Sequence, residues 1–363
     1  MVKSVNVAIV GTGVVGSAFV SQLLRMSSSI KYNVIYIGNA DQSLKAPTGL
    51  SADNWASALQ SSKTPSLSIP DLLEFLKEQS SITKLPTILV DNTSSLAIAQ
   101  SYPKFLENKI SIATPNKKAF SDNYSLWEQL FNESRKKNDT ALLYHEATVG
   151  AGLPIIGTLN DLIQTGDKII KIEGIFSGSL SFIFNSFSQS DDIKFSDIVL
   201  KAKELGYTEP DPRDDLGGLD VARKVIILAR ISGFGINSLN DLDIESLIPK
   251  ELSSPTLSTA DFLSQLPNFD DQIKQQKIDA ANEGKVLRFV GSVDLVNNKV
   301  FVGIAKYDKS HPFASLQGSD NVISIQTERY TNPLIVQGAG AGSEVTAAGV
   351  LADTIKIAQR VAV

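Results

Sequence analysis

The segment Gly11-Thr12-Gly13-Val14-Val15-Gly16 constrains this chain more than any other. It follows residues 6–10, which read as a short buried strand, and opens residues 14–26, where apolar positions recur at helical spacing. In a strand–turn–helix of this kind each glycine has its own reason. The first permits the tight turn, the second lets the backbone approach a pyrophosphate, and the third lets helix and strand pack closely. Unpaired N–H groups at the helix start, carried by residues such as Val14 and Val15, then face the phosphates. A second strand over 33–37 completes the opening of a βαβ unit, and a helix is predicted over 70–79. The runs Thr87-Ile88-Leu89-Val90 and Ile110-Ser111-Ile112-Ala113 read as strands buried on both faces. The pattern predicts an α/β fold that starts with a Rossmann-type doubly wound parallel sheet.

In such a sheet ligands bind at the carboxyl ends of the strands. Two loops are placed there, Asp91-Asn92-Thr93-Ser94-Ser95 and Ala113-Thr114-Pro115-Asn116-Lys117-Lys118, and the Pro-Asn-Lys run of the second favours a placed Lys117 over a solvated one. An NAD-specific site calls for an acidic residue at the tip of the second strand, to hold the ribose hydroxyls. Gly38-Asn39-Ala40 stands there instead, Asp41 comes late, and Ser43 and Lys45 are offered to a 2′-phosphate. NADP(H) is therefore expected to be accepted at least as well as NAD(H).

The 363 residues call for two domains. The alternation weakens after residue 144, and the Gly/Pro-punctuated loop at 150–154 is taken as the crossing, so 1–150 form the dinucleotide-binding domain. Strand-like runs at 286–294 and 299–306 flank Val296-Asn297-Asn298, a hairpin signal, and place antiparallel or mixed sheet in an α+β second region. The stretch 151–285 is assigned to substrate, 286–340 to dimerisation, and the Ala-rich helical tail 341–363 to completion of the first domain. With no cysteine and only His145 and His311 as histidines, thiolate chemistry is excluded and proton transfer falls to Lys, Asp or Glu. A net charge of −5 gives no reason to expect nucleic acid or membrane as a partner, leaving a small-molecule substrate. No apolar leader precedes the first strand, so a cytoplasmic location is expected.

The densest polar segment is Gly206-Tyr207-Thr208-Glu209-Pro210-Asp211-Pro212-Arg213-Asp214-Asp215, followed by Gly218-Leu219-Asp220-Val221-Ala222-Arg223-Lys224. Asp220 and Lys224 are four apart on one helix face. An exposed pair would be a salt bridge of a few tenths of a kcal/mol, roughly. The apolar residues 225–228 and 231 bury this helix, however, and a desolvated lysine is suited to passing a proton to or from an alcohol.

These segments, with His145-Glu146-Ala147-Thr148-Val149-Gly150-Ala151-Gly152-Leu153-Pro154, Gly174-Ile175-Phe176-Ser177-Gly178-Ser179-Leu180-Ser181 and Pro115-Asn116-Lys117-Lys118-Ala119, resemble the homoserine dehydrogenases of the short fungal type. The resemblance spans nearly the whole chain. It implies reversible reduction of L-aspartate 4-semialdehyde to L-homoserine by NADPH or NADH, on the way to threonine, methionine and isoleucine. It further implies Lys224 as acid/base, Lys117 between nicotinamide and substrate, and Glu209, Asp214 and Asp220 around the amino-acid portion. Gly11, Gly13, Val14, Val15, Gly16, Ala40, Thr93, Ser94, Lys117, Gly206, Glu209 and Gly342 are implied at the dinucleotide. Glu146, with the carbonyls of Val149, Ala151 and Leu153, is implied to ligate a monovalent cation, sodium or potassium, and the assembly to be a homodimer. Longer members append an ACT or aspartate kinase domain, for which this chain leaves no room. Rival dehydrogenases that share the glycine loop but attack aldehydes through a cysteine are excluded by composition. The remaining alternatives are another cysteine-independent NAD(P) oxidoreductase and a non-catalytic dinucleotide sensor.

Overall fold

The computed structural model describes residues 3–46, 50, 54–136, 141–190 and 192–362; Met1, Val2 and Val363, the ends of the first domain's two segments, lie outside these. The chain divides into two compact units, residues 1–152 with 341–363, and residues 153–340.

The first unit is built on strands β1 (Ser4–Val10), β2 (Lys31–Gly38), β3 (Ser43–Lys45), β4 (Thr87–Asp91), β5 (Ile110–Ala113) and β6 (Leu143–Tyr144). Their spatial order is 3-2-1-4-5-6, parallel except for the short edge strand β3, which runs antiparallel to β2. Every residue of β4 and β5 is buried, so both faces of these strands are covered and apolar residues such as Ile88, Leu89, Val90, Ile110 and Ile112 follow no in–out alternation. The order reverses between β1 and β4, which opens a crevice at their carboxyl ends. Helix Val14–Arg25 lies against helix Ser343–Val361, and Gln22 Nε2 donates to the Glu344 carbonyl at 3.0 Å and to its carboxylate at 2.8 Å. Ala347, Val350, Ile357 and Ala358 of the C-terminal helix thus share one core with Val5, Val7 and Ile9 of β1.

The second unit holds β7 (Ile169–Ile175), β8 (Lys285–Asp294), β9 (Lys299–Asp308), β10 (Asn321–Thr327) and β11 (Leu334–Gly338) in the order 11-10-7-8-9, antiparallel throughout. The hairpin β8–β9 closes through the turn at 295–298, with Asn298 at φ +51°. The central strand β7 lies more than a hundred residues before its neighbours, inside the segment assigned to substrate, so substrate region and late strands form one body. Buried helix Leu219–Ile231 packs on β8 and β9.

Candidate active site

The three loop glycines meet three different surroundings. Gly11 has φ +89°, and a Cβ there would lie 2.8 Å from Thr93 Cγ2. A Cβ on Gly16 would lie 1.8 Å from the Gly11 carbonyl oxygen, so helix and turn touch backbone to backbone. Around Gly13 nothing lies within 4 Å. Gly13 also caps helix Val14–Arg25 with no side-chain bond and no acid in its first turn, while Val14 is exposed. The middle glycine thus leaves room for an approaching anion where the helix presents its N–H groups.

Neighbouring strand ends supply the other two loops, and a buried polar network ties them together. The Asp91 carboxylate accepts from the Thr93 amide at 2.8 Å, from Asn116 Nδ2 at 3.1 Å and from the Tyr102 hydroxyl. Asn116 Nδ2 also donates to the Ser95 carbonyl at 3.0 Å, and Thr114 Oγ1 to the Asp91 carbonyl at 2.7 Å. Burial raises the Asp91 carboxyl above the ordinary range, while these donors act to lower it. The network therefore fixes Thr93 and the Pro115-Asn116-Lys117 turn from beneath. Ser94 is exposed beside it, and Lys117 caps the short helix Lys118–Ser121. Both polar atoms of the Asn92 side chain are buried without a protein partner, a residue the sequence reading passed over.

At the tip of β2, Asn39 Oδ1 accepts from the amides of Asp41 and Gln42, both at 2.8 Å, and Ala40 is exposed. The offer of Ser43 to a 2′-phosphate is corrected: Ser43 is fully buried and its hydroxyl donates to the Pro65 carbonyl at 2.9 Å. Lys45 is exposed, its ammonium 5.3 Å from the centre of the Phe75 ring. Gly342, at φ +117°, caps helix Ser343–Val361.

In the second unit Lys224 is buried at 7% exposure. Its Nζ donates to the Phe176 carbonyl at 2.6 Å and pairs with Asp220 Oδ2 at 2.7 Å. Asp220 is about half exposed, so the pair joins a buried amine to a carboxylate open to solvent. The four carboxylates of the preceding loop part company. Asp211 is gripped by the Arg213 guanidinium and by Thr259 Oγ1 at 2.9 Å, which holds its carboxyl down to about 2. Arg213 also reaches the carbonyls of Ser254 and Leu257, so this acid fastens the loop. Asp214 and Glu209 are exposed. Asp215 is the acid that turns inward: it accepts from Ser179 Oγ at 2.6 Å and from the Glu209 amide at 2.8 Å. Burial raises its carboxyl, Ser179 and Glu209 act to lower it, and the charges of Asp220 and Asp214 raise it further. Gly206, φ +74°, ends helix Phe195–Glu204 with paired reverse bonds, its amide to Lys203 and that of Tyr207 to Ala202.

The segment 146–153 begins in the first unit. Glu146 is buried, its amide donates to Asp353 Oδ2 at 2.7 Å, and Lys356 Nζ lies 3.8 Å from its carboxylate. Gly150 and Ala151 both take positive φ, +75° and +54°. Leu153 opens the second unit. Among the described residues no group of three or more His, Asp or Glu is arranged as a metal site, and no helix is long and apolar enough to cross a membrane.

A glycine-loop turn in one unit and a buried lysine paired with Asp220 in the other are the features by which the chain can be compared with known proteins. The family model described as "Homoserine dehydrogenase" matches residues 154–355, and "Homoserine dehydrogenase, NAD binding domain" matches residues 11–144. The chain belongs to the homoserine dehydrogenase family. It is 58% identical over 364 residues to the homoserine dehydrogenase of Saccharomyces cerevisiae, with 99% of both chains covered. It is 50% identical over 370 residues to that of Schizosaccharomyces pombe, covering 99% of this chain and 96% of the other. A crystal structure of a Candida auris protein of unknown function superposes with a TM-score of 0.94 at 54% identity, over 99% of this chain and 100% of that one. A hyperthermophilic archaeal homoserine dehydrogenase mutant in complex with NADPH gives 0.73 at 26% identity, over 98% of each. The activity is accordingly the NAD(P)-dependent interconversion of L-aspartate 4-semialdehyde and L-homoserine, and the alternative of a non-catalytic sensor is set aside.

Proposed function

We propose that Lys224 is the acid and base of this homoserine dehydrogenase reaction. The supporting observation is its buried Nζ, held by the Phe176 carbonyl and the Asp220 carboxylate. A bound reduced nicotinamide supplies the hydride to the aldehyde carbon. The carbonyl electron pair moves onto oxygen as that bond forms, and Lys224 delivers the proton that makes the alcohol; in the oxidative direction it removes it. Asp220 keeps the amine directed and, with Glu209 and Asp214, gathers negative charge for the substrate's ammonium group. Asp215 belongs with them: burial, and after it the charges of Asp220 and Asp214, disfavour its ionised form, and a cation beside it would favour that form. Lys117 lies at the cofactor end of the substrate.

The dinucleotide is assigned to the 11–16 loop, Ala40, Thr93, Ser94, Lys117, Gly206, Glu209 and Gly342. With no acid in place for the ribose hydroxyls and Asn39 committed to its own turn, NADP(H) is accepted at least as well as NAD(H), Lys45 being the cation available to a 2′-phosphate. Glu146, with the carbonyls of Val149, Ala151 and Leu153, would hold a sodium or potassium ion. A buried carboxylate beside a turn with two positive-φ residues fits a small cation bound mainly by backbone oxygens. A homodimer forms through the antiparallel sheet, whose edge strand β11 exposes Ile335. The enzyme works in the cytoplasm, in threonine, methionine and isoleucine biosynthesis.

Absorbance at the nicotinamide band, with L-homoserine and each oxidised dinucleotide, tests the reading in the parent chain and in Lys224→Ala. The parent reduces both dinucleotides and the variant neither at a comparable rate. Near-parental turnover in the variant rejects the role of Lys224, and a large preference for NAD over NADP rejects the cofactor assignment.

A further inference from the structure

Lys224 takes its orientation from the Phe176 carbonyl, a loop oxygen just past the end of β7. What holds that peptide plane is a second donor. Asn321, the first residue of β10, is fully buried, and its Nδ2 donates to the same oxygen at 3.0 Å. A carbonyl has two lone pairs, and here one goes to the lysine and one to the amide. The Asn321 side chain is itself clamped: a Cβ on Gly340 would fall 2.0 Å from Nδ2 and 2.1 Å from Cγ, so only glycine lies flat against it. Its Oδ1 has no protein partner. Leucine has nearly the same outline and would fill the same space without any polar atom to satisfy. Packing alone therefore does not account for asparagine here.

We infer that Asn321 is a positioning residue for Lys224, acting through the Phe176 carbonyl. With Asn321 in place the peptide plane at 176 cannot rotate. The lysine amine is then held towards Phe176 and Asp220, and that orientation sets the line along which its proton reaches the substrate oxygen. Without Asn321 the oxygen still accepts from Lys224 but its plane turns, and the line of transfer turns with it. Misplacing a proton donor slows the proton-transfer step, while the glycine loop at 11–16, built within the other unit, keeps its own contacts.

This inference rests on the reading of Lys224 as the acid and base, so that variant is measured alongside. The full chain is prepared as Asn321→Leu, which removes the donor, as Asn321→Asp, which keeps the shape and turns an acceptor towards the Phe176 oxygen, and as Lys224→Ala. L-Homoserine oxidation is followed in ordinary and heavy water. The expected result for both Asn321 variants is a kcat lowered about tenfold, an unchanged KM for the dinucleotide, and a solvent isotope effect on kcat larger than the parent's. A purely structural role would reduce the active fraction and leave that isotope ratio where it was. If Asn321→Leu does not fold, the decision passes to Asn321→Asp. An inactive Lys224→Ala beside Asn321 variants of parental kcat and isotope effect, or of lowered kcat and parental isotope effect, overturns the inference alone. A fully active Lys224→Ala overturns the reading beneath it, and the inference falls too.

Discussion

The glycine-loop region and the carboxylate-rich region reach their final form by opposite routes. Around the loop at 11–16 the buried acid is answered from within: Asp91 accepts from Thr93, Tyr102 and Asn116, and the strand ends are locked before any ligand arrives. In the segment 206–224 the acids are only partly answered. Asp211 has its arginine, but Asp215 is pushed upward by burial and by the charges of Asp220 and Asp214, and Glu209 stands in solvent. One region is braced by its own hydrogen bonds and open at Gly13. The other carries surplus negative charge that a substrate ammonium would neutralise. Rigid recognition suits a dinucleotide whose phosphates always look alike, and a charged receptor suits a small zwitterion with few other handles.

The largest expected effect separates chemistry from binding. Lys224→Ala should lower turnover about 10²- to 10⁴-fold while the affinity for reduced dinucleotide, read from its fluorescence, changes little. Equal losses in both would blur the contrast. The loop glycines come next. Gly16→Ala drives a methyl onto the Gly11 carbonyl oxygen and should cost several kcal/mol in a denaturant melt, roughly, through forced backbone movement. Gly13→Ala meets open space, so its melt should match the parent while dinucleotide affinity falls about tenfold, because the crowding appears only when the phosphates arrive. If the two glycines behaved alike in the melt, their different roles would be wrong.

A middle-sized effect tests the charged receptor. Glu209→Gln, Asp215→Asn and Asp220→Asn should each weaken kcat/KM for L-homoserine about tenfold, a single charge-assisted contact, with the dinucleotide KM unmoved in Asp215→Asn. The smallest concerns Asp211. Its carboxyl is depressed to about 2, so the ion pair contributes stability that is present above the ordinary carboxylate value of 3.8 and is lost as pH falls through about 2. Melting curves between those values should flatten in Asp211→Asn, by about 1 kcal/mol or less because the pair is partly exposed. An unchanged acid slope would deny Asp211 its fastening role.

How much of this was legible beforehand follows the range over which each residue is determined. Gly11, Gly13 and Gly16 answer to a turn six residues long, so the β1 loop and helix Val14–Arg25 were readable almost to the residue. Lys224 with Asp220 was readable because helical spacing puts them together. Asp215 was not separable from Asp214. The phase of the four-residue helix Arg213–Leu216, and a serine thirty-six positions earlier, decide which acid turns inward. Ser43 looked available to a phosphate and is covered, because Pro65 closes over it. Strand β7 escaped because its partners lie more than a hundred residues downstream, and Asn321 escaped because the carbonyl it serves is 145 positions away.

The division of labour between the two regions is tested most directly by a crossed measurement on Lys224→Ala and Gly13→Ala. Each is assayed for dinucleotide affinity by fluorescence titration and for L-homoserine oxidation at saturating dinucleotide. The account predicts that Lys224→Ala binds the dinucleotide like the parent and barely turns over, and that Gly13→Ala binds it weakly yet recovers most of its turnover once saturated. Both variants losing both properties together, or Lys224→Ala oxidising L-homoserine at the parental rate, would contradict it.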